Sequence, residues 1–538
     1  MEKGDFMSVR RIAVLYAGLL LGFVVVACRL YLTAGNSAYA ARAADQSQVT
    51  LDLPAHRGNF YDCEGLPLTG IQEDYYALCL PGEGSYTRLY DIASAEGQAR
   101  LYEKRNSAAP FLLRVGRDVS DLGVYTLTEP RRYCTIPLCQ HLIGYLDGEG
   151  RGVAGLEAAL DELLAGDGSR DTLQCAVTGQ GRLVEGTAPV YTKAETTGTG
   201  VQLTISRAIQ RGVEAVAGQT MTTGCILVLD VATAQVRASV SLPGYDPENI
   251  SASLDAENSP LLDRTLCAYA VGSVFKPVLA AAALEQGKTD LVIQCPGYTV
   301  LDGQVYRCAS GTAHGETDLA AALEKSCNGY FIQLGQMLGA DSVREMAAQL
   351  GFGQAVYLAG SLRAAAGVLP EMEALASSGQ LANFSFGQGQ LLATPVQIAG
   401  MMNAIAADGV YRTPSFLLGT VRESDGARLE AAAAPAERQV FSAQTAQTLR
   451  TLLQGVVEQG TGHDAAPLYE TAGGKTGTAQ TGQFEDGQEK MNLWFAGFYP
   501  ADDPQYTIVV LQDGQNDPEY SSAKIFSQVC EVLYLLRR

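Results

Sequence analysis

The chain has 538 residues, too many for one domain, and this length predicts two or three. Hydrophobic residues make up 47% of it, with 58 glycines and 20 prolines, a composition typical of a folded globular protein and not of a disordered one. The formal net charge of −20 argues against nucleic acid as a partner, and basic residues are nowhere clustered with aromatic ones.

The first predicted element is a membrane-spanning helix at 12–32. A run of apolar and small residues fills 12–28 and continues past Arg29, which gives the roughly 17–25 residues needed to cross a bilayer. Basic residues at positions 3, 10 and 11 precede the run, so the positive-inside rule places residues 1–11 in the cytoplasm. We interpret the segment as the uncleaved signal anchor of a single-pass protein whose remaining chain is extracytoplasmic, with a cleaved signal peptide as the alternative.

Residues 45–195 contain short strands and turns but few long periodic helices. The clearest helix is a short amphipathic one at 156–164. No group of carboxylates or histidines indicates a reaction centre here. We expect a non-catalytic pedestal module that holds the next domain away from the membrane.

The pattern in 198–538 predicts an α+β domain. A strand at 201–205 and a helix at 209–217 are followed by a hairpin of strands 225–230 and 235–240. The later elements are helices at 273–285, 318–325 and 393–406, strands at 493–499 and 506–511, and a helix at 521–536. Strands at both ends with helices between them predict one sheet built from the two ends of the domain.

Ser273-Val-Phe-Lys276 lies where a loop turns into the predicted helix 273–285. Residues three apart share a face of a helix, so Ser273 and Lys276 are expected to point to the same place. The free N–H groups and the positive end of the helix dipole would lie beside the serine hydroxyl. A nucleophile that must also stabilise an oxyanion suits that position, although Ser-x-x-Lys by itself is common and is more often structural.

Twelve cysteines are present without a C-x-x-C pair, and the four histidines do not cluster near them in the sequence, so no metal site is expected. Cys295 and Cys308 are the suggestive pair, because they flank two strand-like segments around an Asp302-Gly303 turn. Such a hairpin would bring the two sulfur atoms together. A disulfide and a pair of free thiols both stay open.

Two further motifs follow in order, Ser326-Cys327-Asn328 after the helix 318–325 and Lys475-Thr476-Gly477-Thr478 before the strand 493–499. Each is common by itself as a helix end or a turn. Together with Ser273-Val-Phe-Lys276 they resemble the Ser-x-x-Lys, Ser-Asp-Asn and Lys-Thr-Gly set of penicillin-binding proteins and class A β-lactamases. The three motifs in this order are far less frequent by chance than any one of them alone.

Over nearly all of its length after the anchor, the chain resembles the class B penicillin-binding proteins, which are membrane-anchored D,D-transpeptidases of cell-wall synthesis. Cys63 and Ser206 depart from the usual residues, and both lie outside the three motifs. The similar segments begin at Arg57, His141 and Gly155 in the pedestal, and comprise 201–205, 229–230, 242–247, 385–389, 394–397, 460–462 and 494–500 in the following domain.

The resemblance implies a serine transpeptidase fold, with a five-stranded antiparallel sheet, helices on both faces and the nucleophile at a helix start. It implies that Ser273 attacks the D-Ala-D-Ala bond of a stem peptide, and that the acyl group then passes to an amine of a neighbouring peptide. β-Lactams would acylate the same serine. No cofactor is implied, and the membrane and a glycan polymerase of the SEDS type are the implied partners.

The motif residues have chemistry that suits these roles. Lys276 is the expected base for the Ser273 hydroxyl, if burial and a neighbouring cation lower its pKa. Lys475 is expected to be that cation and to attract a substrate carboxylate. Ser326 is expected to relay a proton to the leaving amine, and Asn328 to hydrogen-bond a substrate amide.

The third motif is expected to bind the substrate through Thr476, Gly477 and Thr478. A side chain at Gly477 would block a substrate that lies against the strand. The backbone N–H groups of Ser273 and Thr478 are expected to form the oxyanion hole.

Two other functions stay open. The first is a D,D-carboxypeptidase or β-lactamase-type hydrolase, since Glu371 and Glu373 lie between the second and third motifs, where class A β-lactamases carry a glutamate. The anchor and pedestal favour transpeptidation instead. The second is a β-lactam-binding or scaffold protein without turnover, against which the presence of all motif residues argues.

Overall fold

The structure is a computed structural model that describes residues 5–38, 47–80, 84–107, 109–178, 182–184, 187–195, 198–485 and 487–538. The chain forms two compact units, the first made of residues 1–56, 73–131 and 168–196 and the second of residues 57–72, 132–167 and 197–538. Positions 1–4 of the predicted cytoplasmic segment, including Lys3, lie outside the described residues, as do 45–46 at the predicted start of the pedestal.

The first unit begins with a helix of 30 residues, Asp5–Ala34. Its apolar part, Val9–Ala34, has 26 residues. At about 1.5 Å per residue this part is about 39 Å long, which exceeds the roughly 30 Å hydrocarbon core of a bilayer. The predicted span at 12–32 lies within it, and the helix is long and apolar enough to cross a membrane.

Two three-stranded sheets form the rest of the first unit. Leu78, Leu112 and Leu173 are buried together in a core to which both sheets contribute. The strands, in sheet order, are Gln48–Ala55, Arg170–Ala176 and Val190–Thr192 in one sheet, and Phe111–Val115, Gln72–Cys79 and Thr126–Arg131 in the other; the helices are Ser85–Leu89 and Ala95–Lys104.

The second unit is organised around a five-stranded sheet in the order β2-β1-β5-β4-β3, in which every neighbouring pair is antiparallel. The strands are β1 (Gly224–Asp230), β2 (Val236–Leu242), β3 (Gly473–Glu485), β4 (Gln488–Tyr499) and β5 (Tyr506–Gln515). The two ends of the domain meet where β1 pairs with β5, with Val228 opposite Ile508. The predicted hairpin and the sheet built from both ends are therefore confirmed.

Alternate side chains of β1 enter two separate hydrophobic cores, because the side chains of a strand point to opposite faces. Leu227 and Leu229 belong to one core, and Ile226 and Val228 to the other. Both faces are covered, which explains why this strand is a continuous apolar run. The first core includes residues of helices Lys276–Glu285 and Pro395–Ala406, and the second includes residues of helices Arg207–Thr220 and Ser522–Leu536.

The second unit also contains further helices and short strands. Its other helices are Gln140–Ile143, Gly155–Ala159, Asp161–Ala165, Leu319–Glu324, Asn328–Leu338, Ala340–Gln349, Met372–Leu375, Ser378–Ser385 and Ala443–Glu458. Its other strands are Phe60–Tyr61, Thr199–Leu203, Tyr269–Ala270, Ile293–Cys295, Tyr298–Leu301, Gln304–Arg307, Gly315–Thr317, Val356–Ala359, Leu362–Ala364, Leu392–Ala393, Val410–Arg412, Leu417–Arg422, Arg428–Ala431 and Glu437–Gln439.

The strand predicted at 493–499 begins five residues earlier, at Gln488. Three other predicted elements differ from the observed ones in continuity, sheet or helix type. The helix predicted at 156–164 is wrong as a single helix, because Leu160 with a φ of −121° separates two short ones. The strand predicted at 201–205 is Thr199–Leu203, and it joins a separate four-stranded sheet. The helix predicted from Ser273 begins with a 3-10 turn and becomes α-helical at Lys276.

Two stretches of the predicted pedestal, 57–72 and 132–167, pack in the second unit. The fully buried carboxylate of Glu157 holds them together, because it accepts hydrogen bonds from Nε of Arg57 and Nε of Arg132, both at 2.7 Å. A buried carboxylate is tolerated only when it is paired in this way. The family-like segments that begin at Arg57 and Gly155 therefore have a structural role.

Candidate active site

Ser273 lies in a 3-10 turn, Gly272–Phe275, that runs directly into helix α1 (Lys276–Glu285). Gly272 has a φ of +63°, and a Cβ at this position would lie 2.5 Å from the carbonyl oxygen of Thr478, so only glycine fits. The N–H of Gly272 donates to the carbonyl oxygen of Gly387 at 2.8 Å. The turn is thus held between β3 and Gly387, and Ser273 is half-buried.

The side chain of Lys276 is completely buried beside the second motif. Its Nζ donates to the carbonyl oxygen of Ser326 at 2.7 Å, to Oγ of Ser326 at 3.0 Å and to Oδ1 of Asn328 at 2.8 Å. Burial deprives the ammonium of water and lowers the pKa of Lys276 to about 7. Near neutral pH, a substantial fraction of this amine is therefore the free base.

The second motif connects helix α2 (Leu319–Glu324) to helix α3 (Asn328–Leu338). Ser326 has a φ of +52°, a left-handed conformation that is uncommon for a residue with a side chain. Both its carbonyl oxygen and its hydroxyl reach the buried amine of α1 in this conformation. Nδ2 of Asn328 donates to the carbonyl oxygen of Arg307 at 3.0 Å, which fixes the orientation of the amide.

The third motif lies on β3, at the edge of the central sheet. Lys475 is completely buried, and its Nζ donates to Thr476 Oγ1 at 3.2 Å. Burial lowers the pKa of Lys475 well below its usual value, and the charge of Lys276 lowers it further. We expected a neighbouring cation to share in lowering the pKa of Lys276, but burial is the cause there, and the effect of one lysine on the other falls on the pKa of Lys475.

Side chains alternate along β3, with Lys475 and Gly477 on the buried face and Thr476 and Thr478 on the more exposed one. A Cβ at Gly477 would lie 2.9 Å from Cγ1 of Val274, in the turn that carries the nucleophile. The missing side chain therefore admits this turn, and the role of Gly477 in leaving room for a substrate stays a prediction.

Two contacts at the site were not assigned from the sequence. Oγ1 of Thr461 lies 2.9 Å from Oγ1 of Thr476, and Nε2 of Gln388 donates to the carbonyl oxygen of Thr478 at 3.3 Å. Both residues belong to segments, 460–462 and 385–389, that resemble the family but carry no obvious chemistry in the sequence. That resemblance was the signal that could have placed them at the site.

The predicted hairpin between Cys295 and Cys308 is confirmed, with strands Tyr298–Leu301 and Gln304–Arg307. The two sulfur atoms are 3.7 Å apart and not bonded, and all twelve cysteines, each within the described part of the chain, are free thiols. The sequence analysis paired no histidine with these cysteines, but Nδ1 of His314 is 3.6 Å from Sγ of Cys295. Cys327 completes a group whose four possible ligand atoms lie within 4.8 Å of one another.

Of the two carboxylates considered for a hydrolytic role, both in the described part of the chain, Glu373 is exposed, and neither is a hydrogen-bond partner of Lys276, Ser326 or Lys475. Glu371 pairs with Arg344 at 2.9 Å, and 76% of its side chain is exposed. Within the described residues, no carboxylate is a hydrogen-bond partner of Lys276, Ser326 or Lys475.

Comparison with known proteins identifies relatives of the chain. A family model described as the penicillin binding protein transpeptidase domain matches residues 224–531. Stage V sporulation protein D of Bacillus subtilis is 29% identical over 408 residues, 73% of this chain and 61% of that protein. PbpB of Mycolicibacterium smegmatis is 31% identical over 434 residues, 76% and 65% of the two chains. The probable peptidoglycan D,D-transpeptidase PenA of Neisseria meningitidis serogroup A is 28% identical over 539 residues, 93% and 86% of the two chains.

Solved structures agree with these relatives. Penicillin binding protein 3 of Mycobacterium tuberculosis in complex with aztreonam has a TM-score of 0.65 and 26% identity, over 91% of this chain and 97% of that chain. A structure named "Structural coordination of polymerization and crosslinking by a peptidoglycan synthase complex" has a TM-score of 0.69 and 26% identity, over 97% of both chains. The present chain spans less than two thirds of stage V sporulation protein D and of PbpB.

Proposed function

The chain belongs to the class B penicillin-binding proteins, and from this premise we propose that it is a peptidoglycan D,D-transpeptidase that forms its acyl-enzyme on Ser273. One observation carries the proposal: a completely buried Lys276, one helical turn from Ser273, is hydrogen-bonded to Ser326 and Asn328. Residues fifty or more positions apart in the sequence thus form one acid–base group. The family-model match over the domain that contains all three motifs supports the same function.

The hydrogen bonds around Lys276 can be satisfied in both protonation states, because the ammonium donates all three and the neutral amine can donate two. A neutral amine has two N–H donors and one lone pair. The carbonyl oxygen of Ser326 and Oδ1 of Asn328 are acceptors only, so they bind the two N–H groups. The lone pair is left for a hydroxyl proton, from Ser273 or from Ser326.

In the proposed reaction, Oγ of Ser273 attacks the carbonyl carbon of the D-Ala-D-Ala bond while its proton passes to the amine of Lys276. When the C–N bond breaks, this proton passes through the hydroxyl of Ser326 to the leaving D-Ala amine. An amine of a second stem peptide then attacks the ester carbonyl carbon and loses a proton to the same group. The proton returns to Oγ of Ser273 as the ester C–O bond breaks, and the new amide is the cross-link. Asn328 hydrogen-bonds the peptide amide of the donor.

The substrate is proposed to bind along β3. This strand is at the edge of its sheet, so it has backbone groups that are not paired with β4 and that an extended peptide can use. Thr476 and Thr478 lie on its more exposed face. The N–H groups of Ser273 and Thr478 would bind the oxyanion, and Lys475 would take up a proton when the substrate carboxylate arrives, because an opposite charge raises a depressed pKa.

The proposal also includes a membrane anchor and a partner protein in the membrane. The helix Asp5–Ala34 would hold the protein in the cell membrane, with the N-terminus in the cytoplasm and the catalytic domain outside. Residues 45–195 would form the pedestal, of which 57–72 and 132–167 pack in the same unit as the transpeptidase domain at 198–538. The similarity to a peptidoglycan synthase complex supports a glycan polymerase of the SEDS type as membrane partner.

A transfer assay tests the proposed reaction. The full-length chain in detergent is incubated with a pentapeptide that ends in D-Ala-D-Ala and with increasing concentrations of an acceptor amine, and released D-Ala and acyl-transfer product are both measured. We expect transfer to rise with the amine, and neither product from Ser273→Ala. The control Ser251→Ala, at an exposed position remote in sequence from the motifs, should behave as wild type.

Each other outcome has a definite meaning. D-Ala release without transfer at any amine concentration would make the protein a carboxypeptidase. Full activity in Ser273→Ala would refute the proposed nucleophile. Covalent binding of penicillin without either product would favour the scaffold function.

A further inference from the structure

A group of three thiols and one imidazole lies beside the second motif. Strand Ile293–Cys295 pairs with strand Gly315–Thr317, and the N–H of His314 donates to the carbonyl oxygen of Cys295 at 3.0 Å. The hairpin that follows returns the chain at Cys308, whose N–H donates to the carbonyl oxygen of Gly297 at 2.9 Å. Cys327 joins this group from the start of α3.

Three of the six distances between the donor atoms match those of a tetrahedral metal site, and all six are within 4.8 Å. Zn–S bonds of about 2.3 Å and a Zn–N bond of about 2.0–2.1 Å place sulfur atoms about 3.7 Å apart, and sulfur and nitrogen about 3.5 Å apart, at tetrahedral angles. Observed distances are 3.7 Å from Cys295 to Cys308 and 3.9 Å from Cys308 to Cys327 between sulfur atoms, and 3.6 Å from Cys295 Sγ to His314 Nδ1. An S–S bond would instead need about 2.05 Å.

The surroundings suit thiolate ligands. Cys295, Cys308 and Cys327 are all at least 97% buried, while His314 is half-exposed. Backbone N–H groups of Asn328 and Gly329, at the start of α3, face the sulfur of Cys308. The free N–H groups of a helix start stabilise negative charge, as a metal-bound thiolate requires.

We propose that Cys295, Cys308, His314 and Cys327 bind one zinc ion in a closed, four-ligand structural site. Three thiolates and one imidazole in a tetrahedral arrangement are a preferred donor set of zinc. With all four positions filled by protein, the ion has no open position for substrate or water. The site is therefore structural and not catalytic.

The zinc ion would act on the reaction through position. Its ligand Cys327 stands between Ser326 and Asn328, which hold the amine of Lys276. Its ligand Cys308 follows Arg307, whose carbonyl oxygen accepts the hydrogen bond from Asn328. The ion would thus fix both sides of the Asn328 amide and the left-handed turn at Ser326.

Metal content tests the site without any assumption about activity. The full-length chain carries an affinity tag without histidine, is purified in detergent without chelator, and is analysed for metals by mass spectrometry and by X-ray absorption at the zinc edge. We expect one zinc per chain, with three sulfur neighbours at about 2.3 Å and one nitrogen at about 2.0–2.1 Å. His314→Ala and Cys308→Ser should each lose most of the zinc, while His463→Ala and Cys134→Ser should retain it.

Two results would overturn the site. The first is a chain without zinc whose mass lacks two hydrogens and whose digest contains a disulfide among Cys295, Cys308 and Cys327. The second is zinc that stays bound in both ligand variants. If a ligand variant does not fold, cobalt(II) is exchanged into the wild-type chain instead. We then expect thiolate-to-cobalt charge-transfer bands and the intense visible bands of tetrahedral cobalt. The absence of these bands would count against the site.

The positioning role rests on the proposed function and has its own test. Zinc is removed by a chelator, and the reaction with a fluorescent penicillin is separated into initial binding and acylation. Because a displacement of about 1 Å costs about 10²-fold in rate, we expect that loss in the acylation step, little change in initial binding, and recovery with zinc but not magnesium. Unchanged acylation after removal would refute the role but not the site, whereas a zinc-loaded chain that never reacts with penicillin would refute the proposed function alone.

Discussion

Acylation of Ser273 should depend on pH through the protonation of Lys276. Only the neutral amine can take the proton of the serine hydroxyl, and burial lowers the pKa of Lys276 to about 7. We therefore predict a rate that rises with pH and levels off above about pH 8. The ionised form is inactive, so activity is lost as the pH falls through the pKa of this buried group.

The expected loss of acylation rate at low pH follows from the lowered pKa of Lys276. The usual pKa of a lysine is 10.5 and the value at this site is about 7, a difference equivalent to about 5 kcal/mol against the charged form. An unshifted lysine would be neutral in only about one molecule in 3,000 at pH 7, whereas about half of the buried amines are neutral. Below the pKa, the rate should fall about tenfold per pH unit, to about 1% of its maximum at pH 5.

The assay measures the second-order rate constant for acylation of the full-length chain by a fluorescent penicillin between pH 5 and pH 9. Lys276→Arg keeps a protonated guanidinium throughout this range and should be inactive at every pH. Lys288→Arg, at a position that contacts the carbonyl oxygen of Met337 outside the site, should retain the wild-type profile. A rate independent of pH over this range, or a rise that begins only near pH 10, would refute Lys276 as the base.

Two other substitutions test the packing of the nucleophile turn. Gly477→Ala would place a Cβ 2.9 Å from Cγ1 of Val274 and should slow acylation about tenfold or more by moving the turn, whereas Gly218→Ala, with nothing within 4 Å, should not. Trp494→Phe removes the hydrogen bond from the indole Nε1 to the carbonyl oxygen of Ala270 at 3.0 Å. It should lower the free energy of unfolding by about 1–3 kcal/mol in urea titrations, and no loss would show that this bond is not stabilising.

The central sheet could be predicted from local patterns. The apolar runs at 225–230 and 506–511 mark strands that are buried on both faces, and helical segments separate them. Two ends of one domain that both carry such strands can bury them most simply in one sheet. The acylation site could be predicted for a different reason, because its three motifs resemble one family in sequence order.

Long-range proximity could not be predicted in the same way. His314 and Cys295 are nineteen residues apart and come together only because two three-residue strands pair, and such short strands give little signal in the sequence. Cys327 joins them from a different element. Gly477 must lack a side chain because of a turn about two hundred residues earlier in the sequence. The local sequence does not show this contact, and it led us to predict a contact with the substrate instead.

The division of the chain into these two compact units could not be predicted from the sequence either. The stretches 57–72 and 132–167 have the loop-rich composition of their neighbours, yet they pack in the second unit around the buried Glu157. Apolar side chains of both stretches, among them Phe60 and Leu142, are buried in the first core of that unit. Glu157 joins the stretches through two arginines, and nothing in the sequence pairs Arg57 and Arg132 with it.

The most direct test of the central claim is the mass of the covalent adduct. The full-length chain is treated with a penicillin, and the intact protein and its peptides are analysed by mass spectrometry. We predict one penicilloyl group per chain, on the peptide that contains Ser273, and none on the Ser273→Ala variant. An adduct on another residue, or an undiminished adduct on the variant, would contradict the assignment of Ser273 as the nucleophile.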